Sequence, residues 1–99
     1  MNYNVILHPD VMTNDLAKLS HTQRKLVFKQ FKKLQTSPQL GTPLGNKGGY
    51  DLSGCRKLYI DKKKIRIVYR IEEAKIVVEV VAVGKREDMA VYAVAAQRL

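Results

Sequence analysis

Apolar residues along the chain switch their spacing three times, and each switch marks a change of element. Tyr3 to Leu7 read as a short strand. Pro9 then stands where a first helical position tolerates a missing N–H, and Met12, Leu16 and Leu19 follow at i, i+4 and i+7, which predicts a short first helix. Ser20 with Gln23 three residues later forms a capping-box signature. Val27, Phe31 and Leu34 continue at helical spacing, and Thr36-Ser37-Pro38 ends this second helix. The two helices, meeting at Leu19-Ser20, are expected to form a hairpin lying on a sheet. Residues 39–54 are rich in Gly, Pro and small polar side chains and predict a long loop that enters the sheet near Leu52.

Beyond the loop the period becomes two. Strand runs at 55–60, 64–71 and 75–83 are separated by turns at 61–63 and 72–74, the pattern of an antiparallel meander. The last run is apolar at nearly every position and reads as an internal strand buried on both faces. In the first two, alternation separates core from site. Leu58, Ile60, Ile65, Ile67, Tyr69 and Ile71 fall on one face, against which the helices pack; Lys57, Tyr59, Arg66, Val68 and Arg70 fall on the other. After Gly84 the chain leaves the sheet through Lys85-Arg86-Glu87, with Asp88 as a cap for a final helix over 89–98. Tyr92, within a turn or so of that start, can converge with Arg86 on Lys57, Tyr59 and Arg66.

Charge sharpens this picture. Among 99 residues, 18 Lys and Arg face 9 Asp and Glu, a net +9 carried in clusters. That balance favours a polyanionic partner, nucleic acid first and an acidic protein second. A chain of this length makes one compact domain, 1–99, with room for one core. The single Cys55 excludes an internal disulfide framework, and one thiol with two scattered histidines lacks metal-ligand spacing, so no metal or cofactor is expected. The N-terminus does not resemble a signal peptide and no run is long enough to span a bilayer, so a soluble, cytoplasmic protein without a membrane partner is expected. Lys62, Lys63 and Lys64 in the first meander turn, with Lys85, suit contact with an RNA backbone. Cys55, Asp88, Glu72, Glu73, Tyr3, Tyr50 and Tyr69 read as structural or solvated positions.

The succession GCRKLYI, IRIVYRIE, IVVEVVAVGKRE and VYAVAAQR, preceded by the strand, hairpin and Gly/Pro loop, resembles the RelE/ParE superfamily of toxins from toxin–antitoxin pairs, and within it the RelE branch. The resemblance covers nearly the whole chain. It implies an α+β fold, a small sandwich in which the N-terminal strand and helical hairpin pack on a curved, mainly antiparallel sheet of about four strands, with a short C-terminal helix. It also implies cleavage of messenger RNA in the ribosomal A site without metal, by attack of the ribose 2′-hydroxyl on the adjacent phosphate. The partners implied are a cognate antitoxin, the ribosome and its messenger. Residue by residue, Lys57 matches the strand lysine of the family site, Arg66 the arginine opening the RIVY segment, Arg86 the arginine of the GKRE turn and Tyr92 the tyrosine of the final helix. Tyr59 departs from the pattern, standing where RelE has a second lysine. Two other functions share the scaffold: a ParE-like inhibitor of DNA gyrase, and an RNA-binding relative without activity.

Cleavage at a 2′-hydroxyl needs a base, cations to hold the phosphorane charge and an acid for the leaving oxygen. The basic face carries no histidine. Lysine and tyrosine titrate near 10, but crowded cations lower both, so Lys57 or Tyr59 flanked by Arg66 and Arg86 is the candidate base. Arg66 suits charge stabilisation, Arg86 a second clamp or proton donor, and Tyr92 orientation by stacking on a base.

Overall fold

A computed structural model describes residues 2–85 and 90–99. Strand β1 (Asn4–Leu7) leads through a π turn (Val11–Asp15) and a 3₁₀ turn (Leu16–Lys18) into helix α1 (His21–Thr36). The long loop holds β2 (Thr42–Pro43), β3 (Asn46–Lys47) and β4 (Tyr50–Asp51); the meander follows as β5 (Cys55–Ile60), β6 (Ile65–Glu72) and β7 (Val77–Lys85), and α2 (Ala90–Arg98) ends the fold. The main sheet has the order β1-β7-β6-β5-β2, with β3 and β4 paired separately. All its pairings are antiparallel except β1 with β7, which is parallel. The sheet therefore gains a fifth, two-residue strand from the loop beyond the four or so expected.

The capping box forms as written. The Ser20 hydroxyl accepts from the Gln23 N–H and the Gln23 side chain accepts from the Ser20 N–H, satisfying two orphan donors of α1. Val27, Phe31 and Leu34 point inward and join Ile65, Ile67, Tyr69, Val78 and Val80 in one core. The stripe expected on the first helix is shifted. Met12 is 52 % exposed, and Val11 is buried in its place with Leu16 and Leu19. The cause is the π turn: the Leu16 N–H donates to the Val11 carbonyl, five residues back, so the inward face is reached one residue earlier than an α-helical count gives.

The other face of the sheet is not the open basic surface that alternation predicts. Val68, Val81, Ala82, Cys55, Leu44 and Leu52 build a second core there, covered by Val91, Tyr92 and Ala95 of α2. A bulge in β7 makes this possible. Register passes from Val68 opposite Ala82 to Tyr69 opposite Val80, so Val81 has no partner across the ladder and both Val81 and Ala82 enter the second core. Tyr69 crosses to the loop, donating to the Pro38 carbonyl and accepting from the Gly41 N–H. A Cβ on Gly41 would stand 2.6 Å from the Lys57 carbonyl, so only glycine lets the loop close on β5 here. Tyr50, expected to pack, is 40 % exposed in the β3–β4 hairpin.

Helix α2 is fastened at its far end by an ion pair that no sequence pattern announces. Asp15 is buried and accepts from both terminal nitrogens of Arg98, at 2.7 and 3.0 Å, and from the Val83 N–H at 2.9 Å. The same guanidinium donates to the carbonyl of the bulged Val81. β1 pairs only as far as Val80, so the side chain of Asp15 satisfies a β7 backbone donor beyond the last rung.

Candidate active site

β5 and β6 place Tyr59 directly opposite Arg66, and Lys57 opposite Val68, so period-two geometry puts Lys57, Tyr59 and Arg66 on the α2 face of the sheet. The next strand contributes an absence of bulk. Gly84 lies opposite Arg66 on β7, and a Cβ there would meet the Val91 side chain at 2.9 Å. Glycine therefore lets the start of α2 sit close against the strand, which brings Tyr92 over Arg66.

The guanidinium carbon of Arg66 stands 4.4 Å from the Tyr92 ring centroid and 5.5 Å from that of Tyr59, a cation between two aromatic faces. Arg66 is only 4 % exposed, and among the described residues its Nε and Nη1 are buried without a hydrogen-bond acceptor. A buried charged donor left unmet costs on the order of 1–3 kcal/mol or more, and an incoming anion is the natural acceptor for such a group. Aromatic packing holds the charge, and among the described residues no carboxylate pairs with it.

The Lys57 ammonium lies 5.4 Å from the Tyr59 ring centroid. The Arg66 guanidinium beside the Tyr59 hydroxyl, with Lys57 as a second cation, lowers the phenol from 10 to about 8, against a smaller opposing effect of burial. At about 8, roughly one Tyr59 side chain in ten is ionised at pH 7, against roughly one in a thousand for an ordinary tyrosine.

Tyr92 is 3 % exposed and its ring is taken up by Arg66. The ring expected to orient by stacking on an RNA base packs, in this structure, against the Arg66 guanidinium. Lys62, Lys63 and Lys64 are exposed on the β5–β6 turn, and Lys85 is exposed opposite Ile65, so these four cations border the end of the sheet that carries Tyr59 and Arg66. Asp61, Lys62 and Lys63 all have left-handed φ, 52°, 55° and 68°, which folds the turn tightly enough for the Lys64 N–H to reach the Asp61 carbonyl. Arg86 and Asp88 lie outside the described residues. Among the described residues, no cluster of three or more His, Cys, Asp or Glu side chains could hold a metal ion, and no helix is long and apolar enough to cross a membrane. Asp15, Arg98 and Gly84 are the supporting residues that sequence reading missed; Gly84, just before the Lys-Arg-Glu exit, carried the one available signal.

The family model of the ParE toxin of the type II toxin–antitoxin system, parDE, matches residues 5–90. The chain belongs to this family. A RelE-like toxin protein from Escherichia coli is 29 % identical over 99 residues, covering 100 % of this chain and 99 % of the relative. Among solved structures, an arginine-to-alanine double mutant of E. coli toxin RelE in the free state superposes with a TM-score of 0.79 at 28 % identity, covering 100 % of this chain and 99 % of that one. The same mutant in complex with an antitoxin RelBc peptide gives 0.69 at 27 % identity, with the same coverage of both chains. This chain is thus a RelE/ParE-superfamily toxin with the RelE fold, and its basic, tyrosine-lined cluster is the candidate working part of that toxin.

Proposed function

We propose that this toxin is a ribosome-dependent endoribonuclease that cleaves messenger RNA in the A site, blocking translation and growth, and that a cognate antitoxin restrains it. The observation that carries the proposal is Arg66, a buried guanidinium whose Nε and Nη1 meet no acceptor among the described residues, beside a tyrosine shifted to about 8. Structural similarity to a RelE toxin bound to an antitoxin peptide supports the partner.

The reaction divides among the side chains as follows. Ionised Tyr59 takes the proton of the 2′-hydroxyl, and that oxygen attacks the adjacent phosphorus. Arg66 carries the charge that builds on the non-bridging oxygens. The P–O5′ bond breaks, and the departing 5′-oxygen takes a proton from the Lys57 ammonium. The products are a 2′,3′-cyclic phosphate and a 5′-hydroxyl, and one proton passing from Tyr59 to Lys57 restores the site. Tyr92 orients Arg66, and Lys62, Lys63, Lys64 and Lys85 hold the flanking backbone. Arg86 adds a second clamp. No metal enters these steps.

The family match to a ParE toxin favours a second reading, inhibition of DNA gyrase on the same scaffold. Induction in a bacterial host separates the two. The nuclease reading expects growth arrest with cut messenger, lost in Arg66→Ala, and unimpaired supercoiling by gyrase in the presence of the purified toxin. Inhibited supercoiling with intact messenger would establish the second reading instead.

A further inference from the structure

Helix α1 buries one stripe and presents a second, chemically different one. Val27, Phe31 and Leu34 face the core. At about 100° per residue, Lys25, Lys29, Lys32 and Lys33 fall within an arc of roughly 100° on the far side. All four are exposed, α1 contains no acidic residue, and among the described residues none of the four forms an ion pair. Lys25 with Lys29 and Lys29 with Lys33 are like charges at i,i+4, a spacing that destabilises a helix by about 0.2–0.5 kcal/mol per pair. Folding alone gives no reason for them. The face looks away from Lys57, Tyr59 and Arg66, because α1 covers the first core and α2 the second, on opposite sides of the sheet.

We propose that this lysine face is a second RNA-binding surface, which grips the phosphate backbone of duplex RNA without reading sequence while the opposite face handles the strand to be cut. A protein partner fits it poorly. Protein interfaces deplete lysine at their centre and need an apolar core. Among the described residues, the one large apolar side chain exposed beside the lysines is Phe28, which packs edge-on to Phe31 at 5.8 Å. Lys25 to Lys33 rise by about 12 Å, at ~1.5 Å per residue, long enough to follow several successive phosphates of a duplex strand. The protein measures 32 × 32 × 24 Å, small enough for opposite faces to engage neighbouring strands at once. The choice of RNA over DNA rests on the proposed nuclease function; the phosphate contact does not.

The test measures binding of a 20-base-pair RNA duplex by fluorescence anisotropy across a salt series, for the wild type, for K25Q/K29Q/K32Q/K33Q and for K62Q/K63Q/K64Q. Circular dichroism melting of each variant confirms the fold. The α1 variant is expected to lose roughly 10- to 100-fold in affinity near physiological salt, and the slope of log Kobs against log salt to flatten by about 4, close to 1 per lysine lost. An unchanged slope in the α1 variant, or loss confined to the turn variant, overturns the proposal. So does tighter binding of the same face to polyglutamate, which would make an acidic protein its partner, or to duplex DNA. Because the duplex need not be cut, the expected loss of binding stands even if ribosome-bound messenger stays intact.

Discussion

The Arg66 guanidinium packs face-on against the Tyr92 ring at 4.4 Å, joining the middle strand of the sheet to the terminal helix through a cation and an aromatic face. Both residues are almost wholly buried, and neither is a solvated member of a basic surface. In the proposed mechanism Tyr92 acts through its ring. A face-on contact of a desolvated cation contributes on the order of 2 kcal/mol, and each 1.36 kcal/mol of transition-state orientation is tenfold in rate.

Tyr92→Phe is therefore expected to cleave within a few-fold of wild type, and Tyr92→Leu roughly 10- to 30-fold more slowly. Single-turnover cleavage of ribosome-bound messenger measures both. Equal damage from the two substitutions would assign chemistry to the hydroxyl and remove the orienting role.

Tyr59 gives the pH dependence. A base acts only when deprotonated, so with its phenol at about 8, kcat/KM should rise tenfold per pH unit below 8 and level off above it. Tyr59→Phe should lose roughly 10²- to 10⁴-fold and the pH-dependent limb with it. A profile already flat between pH 6 and 8 would point to another base.

Asp15 and Arg98 predict a structural failure with a functional readout. Asp15→Ala strands a buried guanidinium, a loss of about 3–5 kcal/mol, or a fall in melting temperature of more than about 10 °C for a chain of this size. Because Asp15 acts through α2, the fall should be accompanied by faster amide exchange along 90–98 before the rest of the chain. Uniform exchange throughout would show that the pair holds the whole fold and not the helix.

Gly84→Ala tests the close approach of α2 to β7. The new methyl would meet the Val91 side chain at 2.9 Å, tighter than side chains tolerate. A loss of about 1–3 kcal/mol from overpacking is expected, with Tyr92 displaced from Arg66 and Tyr59 moved back toward an ordinary phenol. Gly84→Ala together with Val91→Ala should recover most of both, since the second change removes the atoms that collide.

Much of this arrangement was legible in the sequence because it depends on local periodicity. Alternation along β5 and β6 put Lys57, Tyr59 and Arg66 on one face, and the box at Ser20 and Gln23 fixed the start of α1. The parts that were not legible depend on one-residue shifts and distant contacts. The π turn moved the inward face from Met12 to Val11, and the β7 bulge turned both Val81 and Ala82 toward α2, creating a second core where strict alternation leaves an open surface. Asp15 and Arg98 are 83 positions apart, beyond the reach of any spacing rule. Burial of Arg66 and Tyr92 follows from that second core and changes what Tyr92 can touch.

Primer extension on a reporter messenger after induction measures the proposed function most directly, with wild type beside Arg66→Ala and the 3′ ends of the fragments analysed chemically. The expected result is a ladder of cuts in phase with codons, ending in 2′,3′-cyclic phosphate, present with the wild type and absent with Arg66→Ala. Growth arrest by the wild type with full-length messenger and no phased cuts would contradict it.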